Sequence, residues 1–406
     1  MADALPKIDD DHITLDNHLI LELVFLRVRS ATCLVRAAST CKLWRRVIAD
    51  GGFLKLYCSL HTPPVPGYYF NSISPRQPGL ACEVFTPTFV SSPSSIDLTI
   101  DTSYFSVDFL PDGPKYWKIW DSRSSLLLVN NLSRDHPCVF PRMLAVCEPL
   151  TRGYMRIPAP PNFDECSSQV YKCYLVDGND DEAGRCVSMS NFRVLCEVLR
   201  GGITHAAVFT VAGGVGSWSE KAFDKITPEL HHKRCFGRAG SSWYYVVADR
   251  TVVTFDGHTG EYSPFPLPRG EDWPCDVWNS SVDITDGRDG RPRIFSTEGN
   301  ILKVFARLES CGGCDWVLVK KVSLQEATRG LPGYKSSFFR YPLVLCCSGP
   351  GFVTLTPIGR ESWLFSVDLE TMEVRPASAQ DMQGVRFRYE LPWPPVLHAA
   401  LDPTDS

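Results

Sequence analysis

The chain lacks the features that mark a membrane protein or a nucleic-acid-binding protein. Its 406 residues contain no apolar run near the roughly 20 residues that a membrane-spanning helix needs. The first residues, MADALPKIDDDH, are acidic and include no hydrophobic signal core. Positive charge is not in excess either, because 41 Lys and Arg stand against 46 Asp and Glu. We therefore expect a protein of the cytoplasm or nucleus that binds neither membranes nor nucleic acid.

Motifs for metal binding, cofactor binding or catalysis are missing or incomplete. Cys311 and Cys314 have the spacing of half a zinc site, but no second Cys-x-x-Cys supplies the other two ligands. The glycines around Gly213 are not followed by the Lys-Ser/Thr of a phosphate-binding loop, and no Gly-x-Ser-x-Gly elbow exists. We expect no metal, no cofactor and no catalytic residue, which agrees with a binding module.

The composition is that of a folded chain rich in short strands. Hydrophobic residues make up 44% and charged residues 21%, and the length suits two or three domains. The 31 Pro and 29 Gly are spread along the chain, and aromatic residues make up 11%. This combination predicts an all-β region from about residue 65 onward. We expect the 16 cysteines to be free thiols, because disulfides are rare in unsecreted proteins.

Residues 13 to 60 differ from the rest because their apolar residues recur at helical spacing. Asp16 is a candidate cap for a first helix that reaches Val28, and a second helix is predicted over 32–38. Ser39 or Thr40 would cap a third, which Gly51-Gly52 would end, with one or two further helical turns over 53–60. Three helices of this size leave apolar surface uncovered. That surface would pack either on the β region or on a partner.

The same residues resemble the F-box, a short helical module. The segments that carry this resemblance are Ile13-Thr14-Leu15, Leu19-Ile20-Leu21-Glu22, Val24-Phe25-Leu26-Arg27-Val28, Leu34-Val35-Arg36-Ala37-Ala38, Cys41-Lys42-Leu43-Trp44-Arg45-Arg46 and Asp50-Gly51-Gly52-Phe53-Leu54. The phrase Cys-Lys-x-Trp-Arg is the most specific of them. The sequence after Leu60 looks like the join seen in the large F-box families of plants, especially grasses, and looser similarities extend to the tail segment Tyr389 to Pro395.

The resemblance implies a substrate receptor of a cullin-RING (SCF-type) ubiquitin ligase. In that family the helices dock on a small SKP-type adaptor, which binds the cullin, and the remaining domain holds a protein substrate. The resemblance implies the following adaptor-binding residues: Leu15, Leu19, Val24, Leu34, Val35, Cys41, Trp44 and Phe53. The chain would then have an F-box-like module at 13–60 and a substrate-recognition domain at 65–400.

The β region contains an internal repeat that is visible without any family. Three apolar segments end in an acid that is followed three residues later by Thr, at Glu148/Thr151, Asp256/Thr259 and Asp368/Thr371. An acid and a Thr at this offset can hydrogen-bond the amides of a turn, so each predicts a hairpin. The acids lie 108 and 112 residues apart, about twice the 40 to 50 residues of a propeller blade. One further unit should therefore lie between each pair, near 205–211 and 301–308.

This spacing favours a β-propeller of about six blades, so the expected fold is a three-helix F-box followed by an all-β propeller. A pair of β-sandwiches remains open as an alternative architecture. Two other functions also remain open. The first is a propeller interaction protein with a degenerate F-box and no ligase role, and the second is a hydrolase or lyase with an active site on its loops.

Overall fold

A computed structural model gives the fold of the chain. It describes the following residues: 10–29, 31–61, 64–74, 84–91, 101–131, 143–160, 168–176, 187–200, 203–212, 214–221, 234–240, 242–247, 252–268, 282–287, 289, 291–310, 313–349, 351–358, 363–377 and 386–391. Within them the chain is mostly β, with 23 strands and five α-helices.

Four helices form the N-terminal part: α1 (Asp10–Phe25), α2 (Ala31–Ala38), α3 (Lys42–Ala49) and α4 (Gly51–Leu60). Their core consists of residues from these helices and from the turn after α1, among them Phe25, Leu34, Val47 and Tyr57. The packing within this core includes an edge-on contact of Phe25 with Trp44, whose ring centres lie 5.3 Å apart. The helices therefore bury one another's apolar sides to a large extent.

Two details of the predicted helices are wrong. Helix α1 runs through Asp16 instead of starting there, since nothing between Asp10 and Asp16 breaks a helix. Ser39 and Thr40 do not cap α3, because their hydroxyls donate to carbonyls of α2 at 3.0 and 3.2 Å. The third helix does end just before Gly51-Gly52, at Ala49, but the two glycines are themselves helical. Asp50 accepts the Phe53 amide at 3.0 Å and so starts α4, with both glycines in its first turn.

The strands follow in chain order: β1 (Gly67–Ser74), β2 (Val84–Ser91), β3 (Trp117–Arg123), β4 (Leu126–Asn131), β5 (Met143–Glu148), β6 (Gly153–Ile157), β7 (Ser168–Val176), β8 (Arg193–Arg200), β9 (Ile203–Ala212), β10 (Val215–Lys221), β11 (Arg234–Ala239), β12 (Ser242–Val246), β13 (Val252–Asp256), β14 (Glu261–Pro264), β15 (Val282–Asp286), β16 (Pro292–Glu298), β17 (Ile301–Ser310), β18 (Gly313–Ser323), β19 (Leu343–Gly349), β20 (Phe352–Pro357), β21 (Leu364–Asp368), β22 (Val374–Ala377) and β23 (Phe387–Tyr389). A short helix, α5 (Leu324–Ala327), follows β18.

Most of these strands form antiparallel meanders of four consecutive strands, in the groups β3–β6, β7–β10, β11–β14, β15–β18 and β19–β22. Propeller blades have this construction, whereas a Greek-key sandwich places non-consecutive strands side by side. Two of the meanders are joined by one parallel pair, Gly237 of β11 with Ile284 of β15. Gly237 has φ +133°, and a Cβ there would lie 2.1 Å from the Ile284 carbonyl oxygen, so this approach requires glycine.

The first strands of the meanders share a local irregularity. In β3, β7, β11 and β19 one extra residue interrupts the pairing with the second strand, after Ile119, Val170, Cys235 and Leu345 respectively. Such bulges increase the twist of a strand. The first strands also contact one another between meanders, as β3 does with β7 and β15 does with β19. They therefore lie on the side where the meanders converge.

The predicted repeat matches the strand topology. Glu148, Asp256 and Asp368 end β5, β13 and β21, each the third strand of its meander, and the predicted intermediates fall on β9 and β17, which are also third strands. The predicted turn bonds are confirmed as well. Asp256 accepts the His258 amide at 2.8 Å, and Asp368 accepts the Glu370 amide at 2.9 Å. At Glu148 the Thr151 hydroxyl instead donates to the carboxylate at 2.7 Å.

The remaining sheet joins the two ends of the β region. Its order is β2-β1-β23, and Gly67 of β1 pairs with Tyr389 of β23. A closed ring of blades requires the first and last β segments to meet, and Tyr389 does pack beside Gly67. The prolines that follow, Pro392, Pro394 and Pro395, would confine the tail to an edge or a covering loop, but they lie outside the described residues.

Candidate functional site

The surface of α1 carries a row of exposed apolar side chains. Leu19, Ile20, Leu23 and Val24 are each more than half exposed. Positions i, i+1, i+4 and i+5 of a helix lie on one side, so the four form one apolar face, which we call the α1 face. Helix α3, which contacts α1, adds the exposed Leu43. Contiguous exposed apolar side chains of this kind are typical of surfaces that bind another protein.

The residues predicted to bind the adaptor occupy different positions in the helices. Leu19 and Val24 lie in the α1 face, Cys41 is exposed, and Val35 and Trp44 are partly buried. Leu34 and Phe53 are buried in the helical core, so they can support a docking surface only by packing beneath it. Leu15 lies on α1, but its side chain is outside the described residues.

The sequence interpretation missed Ile20 and Leu23 as surface residues. Both belong to the same apolar stripe as Leu19 and Val24, so the signal was present in the sequence. Among the described side chains of α1, Phe25 is buried whereas the four residues of the α1 face are exposed, so the apolar stripe is wider than the helical core needs. A helix with more apolar residues than its own module can cover indicates a second contact surface.

A polar network joins the second and third meanders. Glu197 of β8 is fully buried and accepts hydrogen bonds from the hydroxyls of Tyr262 and, at 3.5 Å, Tyr174. The Tyr174 hydroxyl lies 2.8 Å from that of Tyr245, which accepts a hydrogen bond from Lys172 Nζ at 2.9 Å. Lys172 and Glu197 are also directly opposite each other on β7 and β8. We call these five residues the Glu197 network.

Aromatic rings surround the amine of this network. Lys172 Nζ lies 3.8 Å from the centre of the Trp243 ring, a distance typical of a cation–π contact. Burial lowers the pKa of Lys172, although nearby Cys235, Asp121 and Glu197 partly oppose that effect. Burial also raises the pKa of Tyr174 well above its ordinary value, so its hydroxyl stays protonated and can donate.

A second network holds the first strands of three meanders together. The Asp121 carboxylate of β3 accepts the Leu175 amide of β7 at 2.9 Å and lies 3.3 Å from Arg238 Nη1 of β11. Arg238 also donates to Ser122, whose hydroxyl donates to the Arg388 carbonyl of β23 at 2.8 Å. In each of the two networks, polar groups that belong to different meanders contact one another.

The expected absence of metal concerns residues that the structure covers only in part. Cys311 lies outside the described residues, and so does the side chain of Cys314. Across the described part of the chain, no three His, Cys, Asp or Glu side chains cluster in the way that metal ligands do. No described helix is both long and apolar enough to cross a membrane.

A direct measurement decides the metal question. We predict that elemental analysis of the purified protein finds no tightly bound zinc, because Cys311 and Cys314 have no sequence partners to complete a tetrahedral site. About one zinc per chain, lost when both cysteines are changed to Ser, would contradict this prediction.

Comparisons with known proteins give structural similarity but no family. No protein-family model matches the chain, and no curated protein does. Solved structures that resemble it include the β-propeller domain of Cps50 (Swd1) from Myceliophteria thermophila, at 11% identity and a TM-score of 0.36, covering 78% of this chain and 92% of that one. YCF48 from Cyanidioschyzon merolae resembles it at 8% identity and a TM-score of 0.36, covering 79% and 88% of the two chains. These scores are low, so the assignment of the sheets rests on their topology.

Proposed function

We propose that this chain is a substrate-recognition subunit of an SCF-type ubiquitin ligase in the cytoplasm or nucleus. Its N-terminal helices are an F-box that binds an SKP-type adaptor and, through it, a cullin. Its β region binds a protein substrate. The chain itself catalyses nothing, since ubiquitin transfer belongs to other subunits of such ligases.

The observation that carries this proposal is the α1 face. The four helices have a core of their own, yet Leu19, Ile20, Leu23 and Val24 stay in water. Burying an exposed aliphatic side chain in an interface contributes about 1.5 to 3 kcal/mol, so four neighbours supply enough apolar area for a partner. The F-box resemblance of 13–60 favours an SKP-type adaptor as that partner.

We further propose that the β region is a closed six-bladed propeller. Five meanders supply one blade each, and β2-β1-β23 supplies the sixth. Because β1 begins the β region and β23 comes near its end, their pairing closes the ring through main-chain hydrogen bonds. A closed ring leaves only short, protected strand edges, which suits a rigid receptor.

Co-purification tests the proposal. The full-length chain, expressed together with an SKP-type adaptor and a cullin, should elute from a size-exclusion column as one complex with equal amounts of chain and adaptor. A chain that elutes alone would favour the alternative of a propeller interaction protein with a degenerate F-box and no ligase role.

Trp44→Ala should weaken adaptor binding by about 2 kcal/mol or more, the usual effect of removing an aromatic anchor. Trp44 is partly buried and its ring contacts Phe25, so the substitution also disturbs the packing beneath α1. Isothermal titration of the adaptor with wild type and variant gives the difference, and circular dichroism checks that the helices remain. If the folded variant binds the adaptor as tightly as wild type does, the predicted role of Trp44 is wrong.

A further inference from the structure

The sequence from Ala327 to Arg360 contains no Asp and no Glu, but it contains four basic residues, Arg329, Lys335, Arg340 and Arg360. The whole chain carries a formal charge of −5, so this segment departs strongly from the rest. It includes the connection from α5 to β19 and the hairpin of β19 and β20. The residues of this segment therefore carry only positive charge.

The connection into β19 is firmly anchored. Residues Ser336–Arg340 form a 3-10 helix whose Phe338 ring packs 5.0 Å from that of Trp363. Tyr334 and Phe339 pack on the same indole at ring distances of 6.2 and 6.1 Å, and its Nε1 donates to the Pro332 carbonyl at 3.1 Å. Tyr334, Phe338 and Phe339 therefore anchor the connection on Trp363.

The outward side of this connection is basic. Lys335 and Arg340 are both exposed, at the two ends of the 3-10 helix. No salt bridge joins either of them to a carboxylate within the part of the chain that the structure describes. Lys335 Nζ lies 5.9 Å from the centre of the Phe338 ring, a contact that leaves its charge in place.

Apolar side chains lie directly beside these charges. Tyr341 follows Arg340, and 56% of its surface is exposed. Val344 and Ile358 are 41% and 48% exposed. The Ile358 amide donates to the Pro342 carbonyl at 3.1 Å, which places Ile358 at the same end of the β19–β20 hairpin as Tyr341. Val344 pairs with Thr356, which is two residues before Ile358, so Val344 and Ile358 lie on the same side of the hairpin.

We infer that Lys335, Arg340, Tyr341, Val344 and Ile358 form a binding surface for an acidic segment of another protein that also carries an aromatic or aliphatic residue. The basic pair attracts carboxylates, and the apolar side chains bury the uncharged part of the segment. Exposed Tyr and Arg are the residue types that contribute most to protein interfaces. This inference does not depend on adaptor binding, because it concerns a different part of the molecule.

Selection from a display library of short random peptides tests this surface. The full-length protein is the bait, and the variant Lys335→Glu/Arg340→Glu is the counter-selection bait. Peptides that survive should be rich in Asp or Glu and contain an aromatic or aliphatic residue. A synthetic copy of the leading peptide is then titrated by fluorescence anisotropy against both proteins and against Tyr341→Ala.

We expect the double charge reversal to weaken binding at least tenfold and Tyr341→Ala to weaken it about tenfold. The control Arg156→Glu/Lys42→Glu changes the same net charge at exposed residues elsewhere and should bind as wild type does. Failure to enrich acidic peptides, or equal binding by the charge-reversed variant, would overturn the inference. Equally tight binding of a single-stranded oligonucleotide would also overturn it, since the site would then select polyanions rather than an acidic protein segment.

Discussion

A chain that ends at Arg386 is expected to lose the cooperative unfolding of the β region. Ending there removes β23, whose main chain pairs with β1 from Gly67 to Tyr69. It also removes Tyr389, which is fully buried with its ring 5.5 Å from those of both Tyr69 and Phe105. Loss of one such buried aromatic side chain costs about 3 to 5 kcal/mol, and the unpaired edge of β1 adds to that cost.

Thermal unfolding and limited proteolysis measure this effect. A matched control chain ends at Leu391 and keeps β23 together with the bond from the Leu391 amide to the Pro64 carbonyl, at 2.9 Å. The control should melt like the full chain, whereas the shorter chain should melt at a much lower temperature or be degraded. Cooperative melting of the shorter chain at the full-length temperature would show that the ring is not closed by β23.

Replacing Glu197 is expected to have the second largest effect. Glu197→Leu removes the acceptor of the Tyr262 and Tyr174 hydroxyls, and it removes the carboxylate opposite Lys172. Breaking a buried charged network by removing one member costs about 3 to 5 kcal/mol, because the Tyr262 and Tyr174 hydroxyls stay buried after they lose the acceptor that they share. Glu197→Gln keeps an acceptor oxygen, so it should cost less than Glu197→Leu.

Urea unfolding gives the free energy of unfolding for these variants. Glu220→Leu is the matched control, because Glu220 is exposed on β10 of the same meander. It should change the free energy of unfolding by less than about 0.5 kcal/mol. If Glu197→Leu unfolds at the same urea concentration as Glu220→Leu, the Glu197 network does not hold the two meanders together.

The repeat of the β region could be predicted from the sequence because its signals are local. An acid and a Thr that bond the amides of one turn are close in the chain, as Asp256 and Thr259 show. The Glu197 network could not be predicted in the same way. Tyr174 and Tyr245 are 71 residues apart, and only the packing of one meander on the next brings their hydroxyls to 2.8 Å. From the sequence alone, nothing distinguishes Lys172 from an ordinary surface lysine.

The helices, too, could be predicted only in part from the sequence. The periodicity of their apolar residues predicted helical structure. The helix boundaries, however, depend on which polar side chain bonds the free amides at each helix start. Ser39 and Thr40 are good caps by type, yet their hydroxyls bond back to α2, while Asp50 caps α4. The α1 face was visible as excess apolar residues. Which of them stay exposed depends on the packing of α1 against α3, and that packing buries Phe25 and leaves Leu23 outside.

Adaptor affinity of a variant of the α1 face tests the account most directly. Leu19→Asp/Leu23→Asp places two charges in a surface that the folded chain leaves in water, so the fold should survive. The control Val215→Asp makes the same kind of change at a side chain that is 73% exposed on β10. Titration of an SKP-type adaptor should give tight binding to wild type and to Val215→Asp, and binding at least about a hundredfold weaker to the double variant. Equal affinity for all three proteins, or no binding to wild type, would contradict the account.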